Sequence, residues 1–401
     1  MAFELPSLGT SSELLWSQPT WFNSTLPVTR MLKRAGLSIA PRNNEGQEHR
    51  NFNRLGRPNR IQIASQGVKN TEGHWPRSGR KEMRVFVAGA SGAVGKRLIP
   101  ELVKAGHKVI GMTRSAEKRE LVQSMGADHV AADALDRQAV LREIRRARPD
   151  VVVHEMTAIP KVLNLRSFDR EFALTNKLRT EGTDNLLEAA QVAGARRFVA
   201  QSYAGWPPCA RVGGQIKTEE DPLDPDPPAA FRTSLAAIRH LEATVTQTPG
   251  IEGIALRYGS FYGPGTSGEW MLDQVRKHRL PIVGTGAAVW SFIHVDDVAT
   301  ATLAAVEDGD PGIYNIVDDE PATVSEWLPE LARIVHAKPP MRIPVWIARF
   351  AIGEAGVILM TEARGASNQK AKSRLGWEPR WRTWRDGFRH EVELEQRRVA
   401  A

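Results

Sequence analysis

The stretch "MRVFVAGASGAVGKRLIPELVKAG", residues 83–106, limits what this chain can fold into more than any other segment. "RVFVAG" is a short buried-strand pattern, and "GKRLIPELVKAG" follows as a helix with Leu98, Leu102 and Val103 on one side. Gly89, Gly92 and Gly95 fall between them at the spacing G-x-x-G-x-x-G. That differs from the G-x-G-x-x-G fingerprint, but the mechanics are shared. One glycine permits the tight turn, one lets a pyrophosphate approach the backbone, and one lets helix and strand pack closely. Orphan N–H groups at the helix start then face the phosphates. Ser91, Ala93 and Val94 complete this candidate dinucleotide turn. The competing possibility is a glycine turn with a purely structural role.

The alternation continues down the chain. "HKVIGMTRS" (107–115) reads as a second strand, "ADHVAADALD" as a third and "VVVHEMTAI" as a fourth. A helix over about 170–193 precedes a fifth strand, "ARRFVAQSYAG". Strands and helices alternating at these lengths predict a parallel sheet covered on both faces, an α/β Rossmann-like class. Ligands on such sheets lie beyond the carboxyl ends of the strands, where Thr157, Ala158, Ser202 and Tyr203 fall. Asp133 and Ala134 stand where an adenine would lie. After the second strand, Thr113 is followed by Arg114 rather than by a carboxylate for the ribose hydroxyls. An arginine fork suits a 2'-phosphate, so the expected cofactor is NADP(H) in preference to NAD(H). The alternative is that Arg114 is a solvated turn residue.

The formal net charge of +8 invites a nucleic-acid reading, but its distribution argues against one. Residues 1–82 carry 12 Lys+Arg against 6 Asp+Glu, and the remainder carries 42 against 40. The main body is close to neutral, so no nucleic-acid partner is expected. A single cysteine, Cys209, precludes an intrachain disulfide and a cysteine-rich metal site. It reads as an incidental thiol and fits a cytoplasmic location. No run of 18 apolar residues predicts a membrane span; "PVWIARFAIGEAGVILM", interrupted by charge and glycine, reads as a packed helix. Residues 1–82, rich in Asn, Arg, Gly and Pro, read as a disordered or non-native extension ahead of a domain starting at Met83. The alternatives are a targeting segment, against which Glu4 and Glu13 count, and a functional arm.

The chain resembles the extended short-chain dehydrogenase/reductase superfamily in its NAD-dependent epimerase/dehydratase branch, from Met83 to about Phe388. The resemblance rests on the glycine turn, "EGTDNLLEAA" (181–190), "LRYGSFYGPG" (256–265), "FIHVDDVATA" (292–301), "GIYNIVDDEPATVSEWLPELA" (312–332) and "LGWEPRW" (375–381) taken in order. It implies a cofactor core over 83–260 and a smaller C-terminal α/β substrate region over 261–401, with 292–317 returning to the core. It also implies Tyr258, Gly259, Ser260 and Phe261 near the nicotinamide, and a homodimer through two long helices. His294, Asp296 and Asp297 look like metal ligands. The resemblance assigns that stretch a structural role instead, with a carboxylate capping the next helix, so no metal is expected.

One departure is chemical. The family's relay is a tyrosine and a lysine four residues later. The matching helix, "AAFRTSLAAIRHLEATV" (229–245), contains neither. Aligning Glu242 with the family's glutamate puts Ser234 at the tyrosine position and Ile238 at the lysine position. Three readings follow: a redox enzyme with relocated proton-transfer groups, a dinucleotide-binding sensor or scaffold without turnover, or a substrate that needs hydride positioning alone. For the first, Tyr203 with Ser202 beside it is the candidate catalytic pair, with Tyr258 and Tyr262 as alternatives; packing or substrate stacking competes for Tyr203. Trp290, just before "FIHVDD", joins Tyr203, Phe261 and Tyr262 in an apolar substrate pocket. The leading expectation is thus an oxidoreductase for a small apolar carbonyl or alcohol. The alternatives are an inactive NADP(H)-binding sensor and a nucleotide-sugar epimerase/dehydratase.

Overall fold

In the computed structural model the chain divides into two units, Met1–Pro76 and Arg77–Ala401. The structure describes residues 81–160, 164–204 and 214–400. The expectation of disorder over the N-terminal segment therefore lies outside the described residues up to residue 80, as does Cys209.

The second unit is built on one seven-stranded, all-parallel sheet. Its strands are β1 (Arg84–Ala88), β2 (Lys108–Thr113), β3 (Asp128–Ala131), β4 (Val151–His154), β5 (Arg197–Tyr203), β6 (Glu252–Tyr258) and, from later in the chain, Gly312–Ile316. The spatial order runs from that last strand through β6, β5, β4, β1 and β2 to β3. The order reverses between β1 and β4, which opens a crevice at their carboxyl ends. Strands buried on both faces need continuous apolar runs, and Val151–Val153 and Phe86–Ala88 are fully buried.

Helices cover both faces. On one, α1 (Gly95–Lys104) packs with a helix over Val295–Asp308 against Val85, Val87, Val153 and Val199. On the other lie α2 (Arg137–Ala147), α3 (Thr183–Ala193) and α4 (Arg232–Gln247), over Phe86, Ala88, Val152 and Phe198. Helical segments Phe168–Glu171 and Ala173–Lys177 run into a π turn, Leu178–Gly182, that feeds α3. The expected helix over 170–193 is thus present but irregular. Such π turns are local bulges of the hydrogen-bond ladder, frequent at functional sites.

Short strand pairs and further helices make the smaller C-terminal region. Ser260–Tyr262 pairs in parallel with Phe292–His294, and Val289–Trp290 pairs antiparallel with Ala322–Thr323. The apolar segment over 345–361 is a helix broken at Gly353, whose φ is +73°. Only its second half is packed as expected; in the first half Trp346 and Phe350 are 63% and 70% exposed. Among the described residues no helix is long and apolar enough to cross a membrane.

Candidate active site

The glycine turn closes the crevice between β1 and β4. Gly89 has φ +98°, and a Cβ there would lie 2.7 Å from the Glu155 carbonyl oxygen. A Cβ on Gly95 would lie 2.5 Å from the Gly89 carbonyl oxygen and 2.6 Å from that of Ala90. Neither position tolerates a side chain without moving backbone. The Gly92 amide donates to the Gly89 carbonyl at 2.9 Å, and α1 begins after Val94 with no side-chain cap. Ser91 and Ala93 are half-buried at the rim. A tight glycine cradle in front of an uncapped helix start fits the phosphates of a dinucleotide. Gly95→Ala is expected to weaken dinucleotide binding about tenfold or more, since the turn must shift to admit the methyl group; isothermal calorimetry on the folded variant reads this.

Around the turn, Thr113 is buried, its hydroxyl 2.8 Å from His129 Nε2 and donating to the Ser115 carbonyl. Asp133 is exposed and accepts from the Leu135 amide, while Ala134 is buried. Thr157 is exposed, and the Ala158 amide donates to Thr175 Oγ1 at 3.0 Å.

Two buried networks flank the crevice, and neither is readable from the sequence. On the α4 side, Arg257 donates twice to Glu242, from Nε to Oε1 and from an Nη to Oε2, both at 2.7 Å. The Ser202 hydroxyl also donates to Glu242 Oε1 at 2.7 Å. Ser202 pairs with Arg257 across β5 and β6, so one carboxylate ties both strands to α4. On the other face, the Tyr258 hydroxyl donates to Glu155 Oε1 at 2.7 Å and lies 2.8 Å from Thr302 Oγ1. Burial pushes the Glu155 carboxyl up to about 8. Tyr258 is thus turned into the core. Burial raises its phenol, and that of Tyr262, well above the usual tyrosine value. Tyr262 is stacked on Phe388 with its hydroxyl buried and unpartnered. Sealed phenols that hold their protons so firmly are unsuited to proton transfer at neutral pH.

Tyr203 is different. It is half-buried at the end of β5, with its hydroxyl 3.4 Å from Ser260 Oγ. Phe261 is half-buried beside Tyr258. Trp290 is half-buried too, but its indole N–H donates to the Leu359 carbonyl and its ring packs on Trp327 and Phe292. The two residues that the resemblance aligns with the relay, Ser234 and Ile238, are packed in place. Ser234 Oγ accepts from Asn176 Nδ2 at 3.1 Å, and Ile238 is 3% exposed.

The acidic stretch after Phe292 is structural, though not in the way expected. The His294 ring, not a carboxylate, caps the next helix by accepting from the Asp296 amide. Asp297 accepts from the amides of Arg380 and Trp381, and Asp296 pairs with Arg97. Among the described residues no cluster could hold a metal ion.

This architecture is that of a dinucleotide-binding enzyme with its ligand crevice at the sheet's switch point. Residues 85–317 match the NAD dependent epimerase/dehydratase family, and the chain belongs to that family. It is similar to the 3-diazoavenalumate denitrifying reductase of a Streptomyces species, with 42% identity over 77% of this chain and 100% of the relative. Its fold is that of the UDP-glucose 4-epimerase of Thermotoga maritima, with 24% identity and a TM-score of 0.64 over 79% of this chain and 100% of that one. The UDP-glucose 4-epimerase of Thermus thermophilus, solved with NAD, is 26% identical, with a TM-score of 0.61 over 78% of this chain and 99% of that one.

Membership makes the chain an NAD-dependent type of enzyme, which supports activity over the inactive-sensor alternative. The NADP(H) preference is corrected as well. The Thermus enzyme holds NAD, as do the other dinucleotide complexes among the similar structures compared. Arg114 stands exposed beyond β2, where an arginine is solvated rather than built into a phosphate pocket. The solved structures also lean toward nucleotide sugars more than toward a small apolar carbonyl or alcohol.

Proposed function

We propose that this chain is a reductase that replaces a diazo group by hydrogen and releases N2. The observation that carries this reading is the lost relay. Ser234 and Ile238 sit where a tyrosine and a lysine would act, and both are packed in place. A carbonyl or sugar hydroxyl needs a proton moved as the hydride moves. A diazonium carbon does not. As hydride arrives with its electron pair, the C–H bond forms, the C–N bond breaks, and its pair leaves with N2. The positive charge of the diazonium group is discharged, the carbon is reduced, the dinucleotide is oxidised, and no proton enters the balance. The activity named for the Streptomyces relative is of this kind.

When bound, NAD(H) supplies the hydride. The chain's own residues would hold and orient. Gly89, Gly92 and Gly95 with the start of α1 hold the phosphates. Tyr203 and Ser260 line the substrate end, where orientation within a near-attack geometry is the main catalytic resource.

The test uses full-length protein, a soluble arenediazonium salt and NADH deuterated at the transferred position. Enzyme-dependent N2 release with deuterium at the former C–N carbon is expected, above the rate without protein. No enzyme-dependent N2 would sink the reading. The second reading, a nucleotide-sugar epimerase/dehydratase, is favoured by the similar solved structures. It requires turnover of UDP-glucose or dTDP-glucose, which a site without the relay is expected not to show.

A further inference from the structure

Arg179 lies in the π turn between the helical segment 173–177 and α3, and it is 7% exposed. Its Nε is sealed from solvent without a hydrogen-bond partner. Asn176, one turn earlier, reaches Ser234 on α4, and Glu242 lies two turns beyond Ser234 on that helix face. The π turn that holds Arg179 packs against α4. The nearby groups are Tyr203 at the end of β5, Glu242 on α4 and His154 at the end of β4. Among the described residues, neither Glu242 nor His154 is joined to Arg179 by an ion pair or a hydrogen bond. Glu242 is bound by Arg257 and Ser202, and the His154 ring is engaged by the Leu178 carbonyl and the Met156 amide. Among the described residues no carboxylate lies in ion-pair contact with Arg179. Burial lowers the guanidinium to about 10, so it remains a cation at neutral pH.

A buried cation without a counter-ion costs several kcal/mol and persists where something else supplies the anion. We propose that Arg179 and the Tyr203 hydroxyl form a subsite for an anionic oxygen of the substrate. A guanidinium takes such an oxygen by charge-assisted hydrogen bonds, with the phenol as a second donor. The subsite offers the substrate fixed positive charge rather than a transferable proton. This rests on the reading of the crevice as the place of hydride transfer. It deepens that reading by naming the substrate class, a diazo compound that also carries a phenolate or a carboxylate. Arg179 is a binding and positioning residue here.

The experiment reads binding without turnover. Full-length wild type, Arg179→Met, Arg179→Lys and Tyr203→Phe, each shown folded by circular dichroism, are titrated with 4-nitrophenol, whose phenolate band reports ionisation. Benzoate is titrated by calorimetry, and the two arms distinguish phenolate from carboxylate. The expected result is that wild type binds one of the probes as the anion. Arg179→Met weakens this about tenfold to a hundredfold, the range of a hydrogen bond to a charged group. Arg179→Lys recovers part of the loss, and Tyr203→Phe loses less than Arg179→Met. Binding by Arg179→Met equal to wild type, or wild type binding neither probe, overturns the subsite. Enzyme-dependent N2 release is scored separately. Its absence with anion binding intact would remove the diazo reading and leave the subsite standing.

Discussion

Arg257→Met is expected to cost about 3–5 kcal/mol of folding stability, because it leaves the Glu242 carboxylate buried without its ion pair. Both side chains are 5% exposed, and the pair is bidentate at 2.7 Å. The Ser202 hydroxyl alone cannot balance a carboxylate at that depth. Replacing both partners by apolar residues, Arg257→Met with Glu242→Leu, is expected to recover much of the loss, since neither member of the pair is then left buried and unpaired. Urea unfolding of wild type, single and double variants measures this. If single and double variants lose equally, shape rather than charge holds β5 and β6 on α4. The pair's position explains why it is worth its desolvation. It fastens the ends of β5 and β6 to α4, and with them Tyr203 and the floor of the crevice.

Glu155→Gln is expected to remove a decline in stability that the wild type shows as pH rises. The Glu155 carboxyl is held at about 8 in the folded protein by burial, against 4.5 for the free group. Between those values the unfolded chain has lost a proton that the folded chain keeps. Stability is therefore full below about 4.5, falls as pH rises toward about 8, and is level above it. A shift of that size amounts to a few kcal/mol at about 1.4 kcal/mol per unit. The glutamine keeps an oxygen to accept from Tyr258 and never ionises. Its Tm is expected to exceed that of wild type by roughly 5 °C at pH 8, with no such advantage at pH 5. Tm against pH for both proteins decides the matter, and parallel curves would show that Glu155 is not the titrating group. The same residue's carbonyl oxygen sits against Gly89, so the glycine turn and this neutral acid share one wall of the crevice.

Much of the fold is legible in the sequence because its signals are local. Strand and helix periods from Arg84 to Tyr203, the glycine spacing and the apolar runs of β1 and β4 each depend on a few neighbouring residues. The absence of a tyrosine and lysine in α4 is legible for the same reason. Arg114 misleads on the cofactor because the sequence shows its charge and not its exposure. The cap on the helix over 295–308 is misassigned to a carboxylate because aspartates follow. The nearer His294 ring holds that place, while Asp297 is drawn to amides more than eighty residues away.

Arg179 shows most plainly where local reading stops. In "TNKLRTEGT" it is one charged residue among several on a helix, and nothing nearby in the chain separates it from Lys177. It is buried in a π turn that packs against α4, while Lys177, just before that turn, stays exposed. Glu242, Glu155 and His154 are alike in this. Chain order places His154 and Glu155 at the end of β4 and Glu242 inside α4, but which partner neutralises or desolvates each depends on segments tens to more than a hundred residues apart. Turn chemistry and periodicity are properties of short stretches, and they determined the α/β architecture and the dinucleotide cradle. The energies of buried charge are set by what packs around it. Only the assembled sheet and helices therefore decided which ionisable groups are paired, which are kept neutral, and that Arg179 is buried with no counter-ion among the described residues.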